Sequence, residues 1–149
     1  MSGKISLEEK AVMRFIENYN CAESVLLTMF EHLNGKNELI PKIATAFGGG
    51  IGMCGSVCGA LTGGVMVIGI KYGTDNPSVE KRLKLYSLAN KFYNQFKKHH
   101  GSVLCRELIE YDLSNPEELE RARKKRVFEE KCVKFVRTAV KILRELDER

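Results

Sequence analysis

The sequence predicts an all-α protein, a single compact bundle of about five or six helices around a buried, glycine-rich central helix. Apolar residues recur every three or four positions, capping residues precede these runs, and no segment alternates as a strand would. The length of 149 residues suits one domain, predicted to span residues 1–149. A hydrophobic content of 44% with 29% charged residues excludes a disordered chain.

Helix-start signals define the elements of the first third of the chain. Ser6 and Asn20 are each followed three residues later by a glutamate, which is the capping-box pattern, so each predicts the start of a helix. Gly35 ends the second helix. A short helix is predicted from Pro41 to Phe47, because proline suits the first turn of a helix.

The next segment, residues 43–70, contains no charged residue and is long enough to span a bilayer. It contains nine glycines, however, and each weakens a helix by about 0.8–1 kcal/mol relative to alanine. We therefore expect no membrane span, but a buried central helix that begins between Gly52 and Ser56 and ends near Tyr72.

This central helix carries glycines at a spacing of four, at Gly55, Gly59 and Gly63. Such a face lets another backbone or a compact cofactor approach closely, and Gly59 and Gly63 are candidate cofactor-binding positions. Tight helix packing is the simpler interpretation, within the chain or across a homodimer axis. No strand precedes the glycines and no Gly-Lys-Ser/Thr follows them, which argues against a phosphate-binding loop and a dinucleotide-binding motif.

Three further helices are predicted in the second half. The first begins after Ser78 and ends at Gly101, and we expect its core-facing stripe to be Val79, Leu83, Tyr86, Ala89, Tyr93 and Phe96. Ser102 is expected to cap a short helix, and Asn115 a final long one. Residues 81–149 hold 18 basic and 11 acidic side chains, but no nucleic-acid-binding module accompanies them, so we expect no nucleic-acid partner.

The five cysteines are the most informative residues. Cys21, Cys58 and Cys105 lie near predicted helix starts, where free N–H groups and the helix dipole favour a thiolate, while Cys132 lies mid-helix on an apolar face. We expect these four sulfurs to converge in one pocket beside the glycine-rich segment, with the lowest pKa values at Cys21 and Cys58. Cys54 lies four residues before Cys58 and would share a helix face with it if the central helix already includes both. Four separate buried thiols remain the alternative.

The order of these motifs resembles the family of redox-active proteins named for its C, GCAxxG, C, C cysteine pattern. The resemblance rests on Asn20-Cys21-Ala22-Glu23, the glycines at 48–50, the segment Cys58-Gly59-Ala60-Leu61-Thr62-Gly63-Gly64, Cys105-Arg106-Glu107-Leu108 and Cys132. The order in this chain is Cys-Gly-Ala, with Cys58 as the matching cysteine and Cys54 as an addition.

The resemblance implies that Cys21, Cys58, Cys105 and Cys132 are iron–sulfur cluster ligands or redox thiols. The family is similar to the non-haem part of split-Soret cytochromes, which hold such a cluster and form dimers, so a homodimer is expected. Haem is not expected, because no C-x-x-C-H motif occurs.

We therefore predict electron transfer through an iron–sulfur cluster, with a redox partner protein that the sequence does not identify. Thiol–disulfide chemistry at the same cysteines and a structural zinc site in a dimeric interaction module are the alternatives. The N-terminal residues lack an apolar signal region, and five cysteines without one fit a reducing compartment, so a cytoplasmic location is expected.

Overall fold

Helices form nearly all the regular structure of the computed structural model, which describes residues 3–147. Within that range the seven α-helices are α1 (Leu7–Ile16), α2 (Cys21–His32), α3 (Gly59–Tyr72), α4 (Val79–His100), α5 (Cys105–Ile109), α6 (Pro116–Lys124) and α7 (Val133–Asp147). A 3-10 segment, Lys42–Phe47, follows α2, and a π-helical segment, Phe128–Cys132, precedes α7. The predicted all-α class is confirmed.

Side-chain caps start several helices as the sequence predicts. Asn20 accepts a hydrogen bond from the backbone N–H of Glu23, whose carboxylate accepts one from the N–H of Asn20, so the capping box of α2 is complete. Ser6 caps α1 and Ser78 caps α4 in the same way, through one hydrogen bond each. The local sequence therefore determines where these three helices begin.

The core lies where α2 packs along α3 and where α7 contacts α1, α2, α3 and α4. Its largest fully buried side chains include Leu26, Leu61, Phe92, Phe96 and Ile142. The helix α3 is predominantly apolar but has only 14 residues. None of the helices within residues 3–147 combines the length and the apolar character needed to cross a lipid bilayer.

Two ion pairs join α1 to α7. The side chain of Arg144 donates to the carboxylate of Glu8 at 2.7 Å, and Arg137 donates to Glu9 at 2.8 Å. Glu8 is buried, whereas Glu9 and Arg137 are exposed enough for water to screen their pair. The ends of the chain are thus held together on one side of the core.

The predicted start of the central helix is wrong. The helix α3 begins at Gly59 with Cys58 as its N-cap, and Gly55 lies in the preceding loop with φ of +72°. Residues 49–53 also have positive φ, which a helix cannot accommodate. Cys54 therefore lies in a loop and does not share a helix face with Cys58.

The predicted core-facing stripe of α4 is wrong except at its end. Phe92 and Phe96 are fully buried, but Val79, Leu83 and Tyr86 are 68, 60 and 57% exposed. The helix has two apolar faces, and only the face with Phe92 and Phe96 packs against the rest of the chain.

The final long helix is divided in two. The chain leaves α6 after Lys124, passes through Arg126 at φ of +55°, and turns through the π-helical segment before α7 begins. Charged residues recur at helical spacing through residues 117–134. The sequence therefore gives no sign that the helix is interrupted there. The division also explains why the helices outnumber the five or six expected.

Candidate functional site

Four cysteines line one cavity of about 390 Å³. Each comes from a different part of the fold: Cys21 begins α2, Cys58 caps α3, Cys105 begins α5 and Cys132 ends the π-helical segment. The convergence predicted from the sequence is therefore found, although most of the chain separates the first thiol from the last. Their role as ligands stays a prediction at this point.

The position of Cys21 follows from the capping box of α2. The side-chain amide of Asn20 donates to the carbonyl of Thr45 at 2.9 Å, and the hydroxyl of Thr45 donates to the carboxylate of Glu23 at 2.9 Å. These bonds join the start of α2 to the 3-10 segment, so Cys21 is held between two elements. Asn20 and Thr45 are also polar residues in the otherwise largely apolar lining of the cavity.

A short backbone ladder positions Cys58 and Cys105 together. Val57 and Leu104 form an isolated antiparallel bridge. The N–H of Cys58 donates to the carbonyl of Val103 at 2.8 Å, and the N–H of Cys105 donates to that of Ser56 at 2.7 Å. Two cysteines that lie 47 residues apart are thus fixed on adjacent backbone segments. No alternating pattern marks either segment in the sequence, so this bridge could not be predicted.

The loop before α3 closes over the cavity and requires glycine. Gly50 has φ of +71°, and a Cβ atom there would lie 2.6 Å from the backbone nitrogen of Ser56 and 2.8 Å from the Cβ of Cys105. The positive φ and the lack of space for a Cβ atom both exclude any residue larger than glycine at position 50. The loop also places Met53, which the sequence analysis missed, on the cavity wall.

The two glycines proposed as cofactor-binding positions differ in location. Gly59 lines the cavity, and a Cβ atom there would lie 3.1 Å from the Cβ of Cys21. Gly63 is not among the residues that line the cavity; a Cβ there would lie 2.5 Å from the carbonyl oxygen of Ala22. Gly63 thus permits α3 to pack on α2 of the same chain.

The remaining wall is largely apolar. It includes the aromatic side chains of α1, the π-helical segment and α7, together with two aliphatic residues near α5: Phe15, Phe128, Phe135, Ile109 and Leu113. No histidine of the described residues lines the cavity. The ring of His100 packs against Phe135 with centroids 4.9 Å apart, one layer outside the site.

Burial controls the acidity of the thiols. The hydrogen bond with Cys132 and then burial raise the pKa of Cys21 well above its usual value. Burial raises the pKa of Cys58 to about 12, although the backbone N–H groups of Ala60 and Leu61 act in the opposite direction. Burial, followed by the charge of Cys132, raises the pKa of Cys105 to about 12.

These directions contradict the expectation of low pKa values at Cys21 and Cys58. The helix-start N–H groups are present at Cys58, but loss of hydration outweighs them. In the cavity as described, these thiols are protonated at neutral pH, and a bound metal would be needed to displace their protons.

The fifth cysteine lies apart from the other four. Cys54 is exposed and does not line the cavity. Its carbonyl accepts a hydrogen bond from Arg106 at 3.2 Å, which joins the loop to α5. The five cysteines are all free thiols.

The arrangement of the four cysteines limits what the cavity could hold. The neighbouring thiol of Cys132 is the largest cause of the raised pKa of Cys21. Within residues 3–147, however, no group of three or more His, Cys, Asp or Glu side chains is arranged to hold a single metal ion. The four cysteines instead line a space of about 390 Å³.

The helical fold and the four thiols around one cavity define the protein as one with a cysteine-lined site. Comparisons with known proteins identify its family. The chain belongs to the family described as "Putative redox-active protein (C_GCAxxG_C_C)", whose model matches residues 19–146. It is also 32% identical, over 148 residues, to an uncharacterized protein of Archaeoglobus fulgidus, covering 90% of this chain and 91% of that protein. No solved structure matches the chain.

Proposed function

We propose that this redox-active family member binds an iron–sulfur cluster through Cys21, Cys58, Cys105 and Cys132 and transfers single electrons to and from a partner protein. The observation that carries the proposal is the placement of four thiols from four elements around one cavity of about 390 Å³. Four cysteine thiolates are the usual ligand set of such clusters.

The size of the cavity favours a cluster over zinc. A structural zinc ion needs its sulfur ligands at about 2.3 Å from one point. No three of the candidate side chains in the described part of the chain converge in that way. Thiols that surround a cavity fit a ligand larger than one ion, so zinc is the weaker alternative.

The surroundings of the thiols suit a one-electron carrier. When bound, a cluster supplies one-electron oxidation and reduction at a potential that depends on hydrogen bonds to sulfur and on exposure to solvent. The backbone N–H groups of Ala60 and Leu61 lower the pKa of Cys58 and so favour negative charge on its sulfur. Phe15, Phe128 and Phe135 make much of the cavity wall apolar.

One observation favours a second candidate, thiol–disulfide exchange between Cys21 and Cys132. The thiol of Cys132 is the largest cause of the raised pKa of Cys21, so the two side chains are neighbours in the cavity. Oxidation would join the two sulfurs and deliver two electrons and two protons to a disulfide of a partner protein. The raised pKa of Cys21 opposes this chemistry, because the attacking species must be a thiolate.

The decisive experiment is anaerobic reconstitution with ferrous iron and sulfide. We expect visible absorbance and bound iron with acid-labile sulfide in the unaltered protein. Cys→Ser changes at 21, 58, 105 and 132 should each abolish or strongly weaken this absorbance, whereas Cys54→Ser, the matched control, should retain it. A protein that binds no iron would overturn the proposal.

The alternatives give different results in the same preparations. Thiol–disulfide exchange predicts a colourless protein that reversibly loses two thiols, and loses this property on Cys21→Ser or Cys132→Ser but not on Cys58→Ser. A structural zinc site predicts stoichiometric zinc and no redox response. We further propose a cytoplasmic location, because five free cysteines fit a reducing compartment.

A further inference from the structure

The glycine loop, residues 48–50, brings unused backbone donors to the wall of the cysteine cavity. Gly48, Gly49 and Gly50 all line the cavity, and because glycine has no side chain, only their backbone forms this part of the wall. Within residues 3–147, none of the three N–H groups donates a hydrogen bond to another protein group. Gly50 is buried, and buried N–H groups are almost always paired. A ligand in the cavity would supply the missing acceptors.

The carbonyl groups of the glycine loop are, by contrast, all satisfied. They accept hydrogen bonds from the N–H groups of Met53, Gly55 and Ser56 at 3.1, 3.0 and 2.9 Å, respectively. The loop therefore uses its acceptors within the protein and leaves its donors free. Because an unpaired buried donor costs free energy, this asymmetry favours a ligand with hydrogen-bond acceptors over one that is wholly apolar.

The surroundings of the glycine loop keep its backbone bare. A Cβ atom at Gly48 would lie 2.9 Å from Nδ2 of Asn20, and one at Gly49 would lie 2.9 Å from Cα of Met53. At the third position a Cβ atom would lie 2.8 Å from the Cβ of Cys105. No side chain therefore fits on this part of the wall, and the backbone lies directly beside one of the four cysteines.

The cavity has no cation to balance the charge of four thiolates. No lysine, arginine or histidine of the described residues is part of its lining. Thiolates that hold a cluster carry negative charge, and buried charge is costly unless hydrogen-bond donors or opposite charges compensate it. Hydrogen bonds to sulfur are one determinant of the reduction potential of a cluster. In this cavity the available donors are backbone N–H groups.

We propose that the N–H groups of Gly48, Gly49 and Gly50 donate hydrogen bonds to the sulfur atoms of the proposed cluster and compensate its negative charge in place of a cation. This inference rests on the proposed function and adds to it the groups that raise the reduction potential. The N–H groups of Ala60 and Leu61 favour negative charge at Cys58, whereas the glycine loop supplies donors from another part of the wall.

Pulsed electron paramagnetic resonance of the reconstituted, reduced protein tests the proposal without any substitution. We expect protein labelled with ¹⁵N-glycine to show ¹⁵N couplings to the cluster spin, because an N–H···S hydrogen bond carries spin density onto the nitrogen. Lack of glycine couplings in a protein that holds a reduced cluster would overturn the proposal.

An amide-to-ester exchange at position 50 tests the donor itself. Glycolic acid in place of Gly50 removes the N–H and introduces no side chain. We expect normal iron and sulfide content, a weaker ¹⁵N-glycine signal and a more negative reduction potential. The potential falls because the reduced cluster carries one more negative charge than the oxidised cluster and so loses more stabilisation.

Glycolic acid in place of Gly55 is the matched control. An ester at position 50 also weakens the carbonyl of Gly49, which accepts a hydrogen bond from the N–H of Gly55 at 3.0 Å. The control removes that bond, leaves the N–H of Gly50 in place, and should leave the potential unchanged. Equal potentials in the two ester proteins, with normal iron and sulfide in both, would overturn this inference and leave the proposed function intact. An unaltered protein that binds no iron would overturn both.

Discussion

At the scale of single residues, exposure separates Cys54 from the other four cysteines. Cys54 lies on the surface, whereas Cys58, Cys105 and Cys132 are buried and Cys21 is partly covered. The four cysteines that share the cavity could be identified from the sequence. The expected reactivity of their thiols, however, rested on helix position alone. Burial cannot be read from a helix start, because it depends on which elements later pack over that start.

Alkylation of the iron-free protein should therefore be fastest at Cys54. Iodoacetamide labelling, followed by mass spectrometry over time, should modify Cys54 first, because only an accessible thiolate reacts. In mild denaturant the remaining thiols should become reactive together as the cavity opens. Labelling of Cys58 before Cys54 in the native protein would contradict this expectation.

The glycines of α3 provide a second prediction at this scale. Gly63→Ala places a methyl group 2.5 Å from the backbone oxygen of Ala22, so α2 and α3 must separate. We expect a loss of about 1–3 kcal/mol in the free energy of unfolding, measured by urea denaturation.

Gly69→Ala is the matched control, because a Cβ atom there meets nothing within 4 Å. It should stabilise the helix by about 0.5–1 kcal/mol, through lower flexibility of the unfolded chain. Equal effects of the two changes would show that α2 and α3 are not packed as described.

At the scale of elements, capping residues predicted the starts of α1, α2, α4 and α6, but the predicted cap Ser102 is wrong, because α5 has Leu104 as its N-cap. Side-chain patterns predicted burial less well. The caps of α1, α2 and α4 are local interactions of three or four residues, so the sequence contains all their information. Which of the two apolar faces of α4 enters the core depends on α3 and α7, which lie elsewhere in the chain. The fold class could therefore be predicted, but the orientation of α4 could not.

The π-helical segment gives a prediction about Cys132. A π-turn contains one residue more than an α-turn, and Phe128 and Cys132, four residues apart in this segment, both line the cavity. Deletion of Glu130, an exposed residue within the segment, should leave these two side chains three residues apart and so turn them further from each other around the helix axis.

We expect the Glu130 deletion to bind less iron after reconstitution while its far-ultraviolet circular dichroism stays close to that of the unaltered protein. The substitution Glu130→Ala keeps the length of the segment and should bind iron normally. Normal iron binding by the deletion variant would show that the π-turn does not position Cys132.

At the scale of the whole molecule, the ion pairs between α1 and α7 link the two ends of the chain. Glu8→Gln removes the charge that Arg144 contacts at 2.7 Å in a buried position. Because charge-assisted hydrogen bonds are stronger when shielded from water, thermal unfolding should show a loss of about 1–2 kcal/mol.

The neighbouring change Glu9→Gln is its control. The pair of Glu9 with Arg137 is about half exposed on both sides, so we expect a loss of at most about 0.5 kcal/mol, which should shrink further in high salt. A larger loss for Glu9→Gln than for Glu8→Gln would reverse this ranking.

The cavity joins residues from α1, at Phe15, to α7, at Phe135, and this has a consequence for how the protein is made. During synthesis the thiols emerge one at a time from the N-terminus, and Cys132 follows only when the chain is nearly finished. A nascent fragment that ends before Cys132 therefore does not contain all four cysteines of the site. Loading of the proposed cluster must therefore wait until the chain has been synthesised at least to Phe135, and a product truncated earlier would emerge with thiols and nowhere to enclose them.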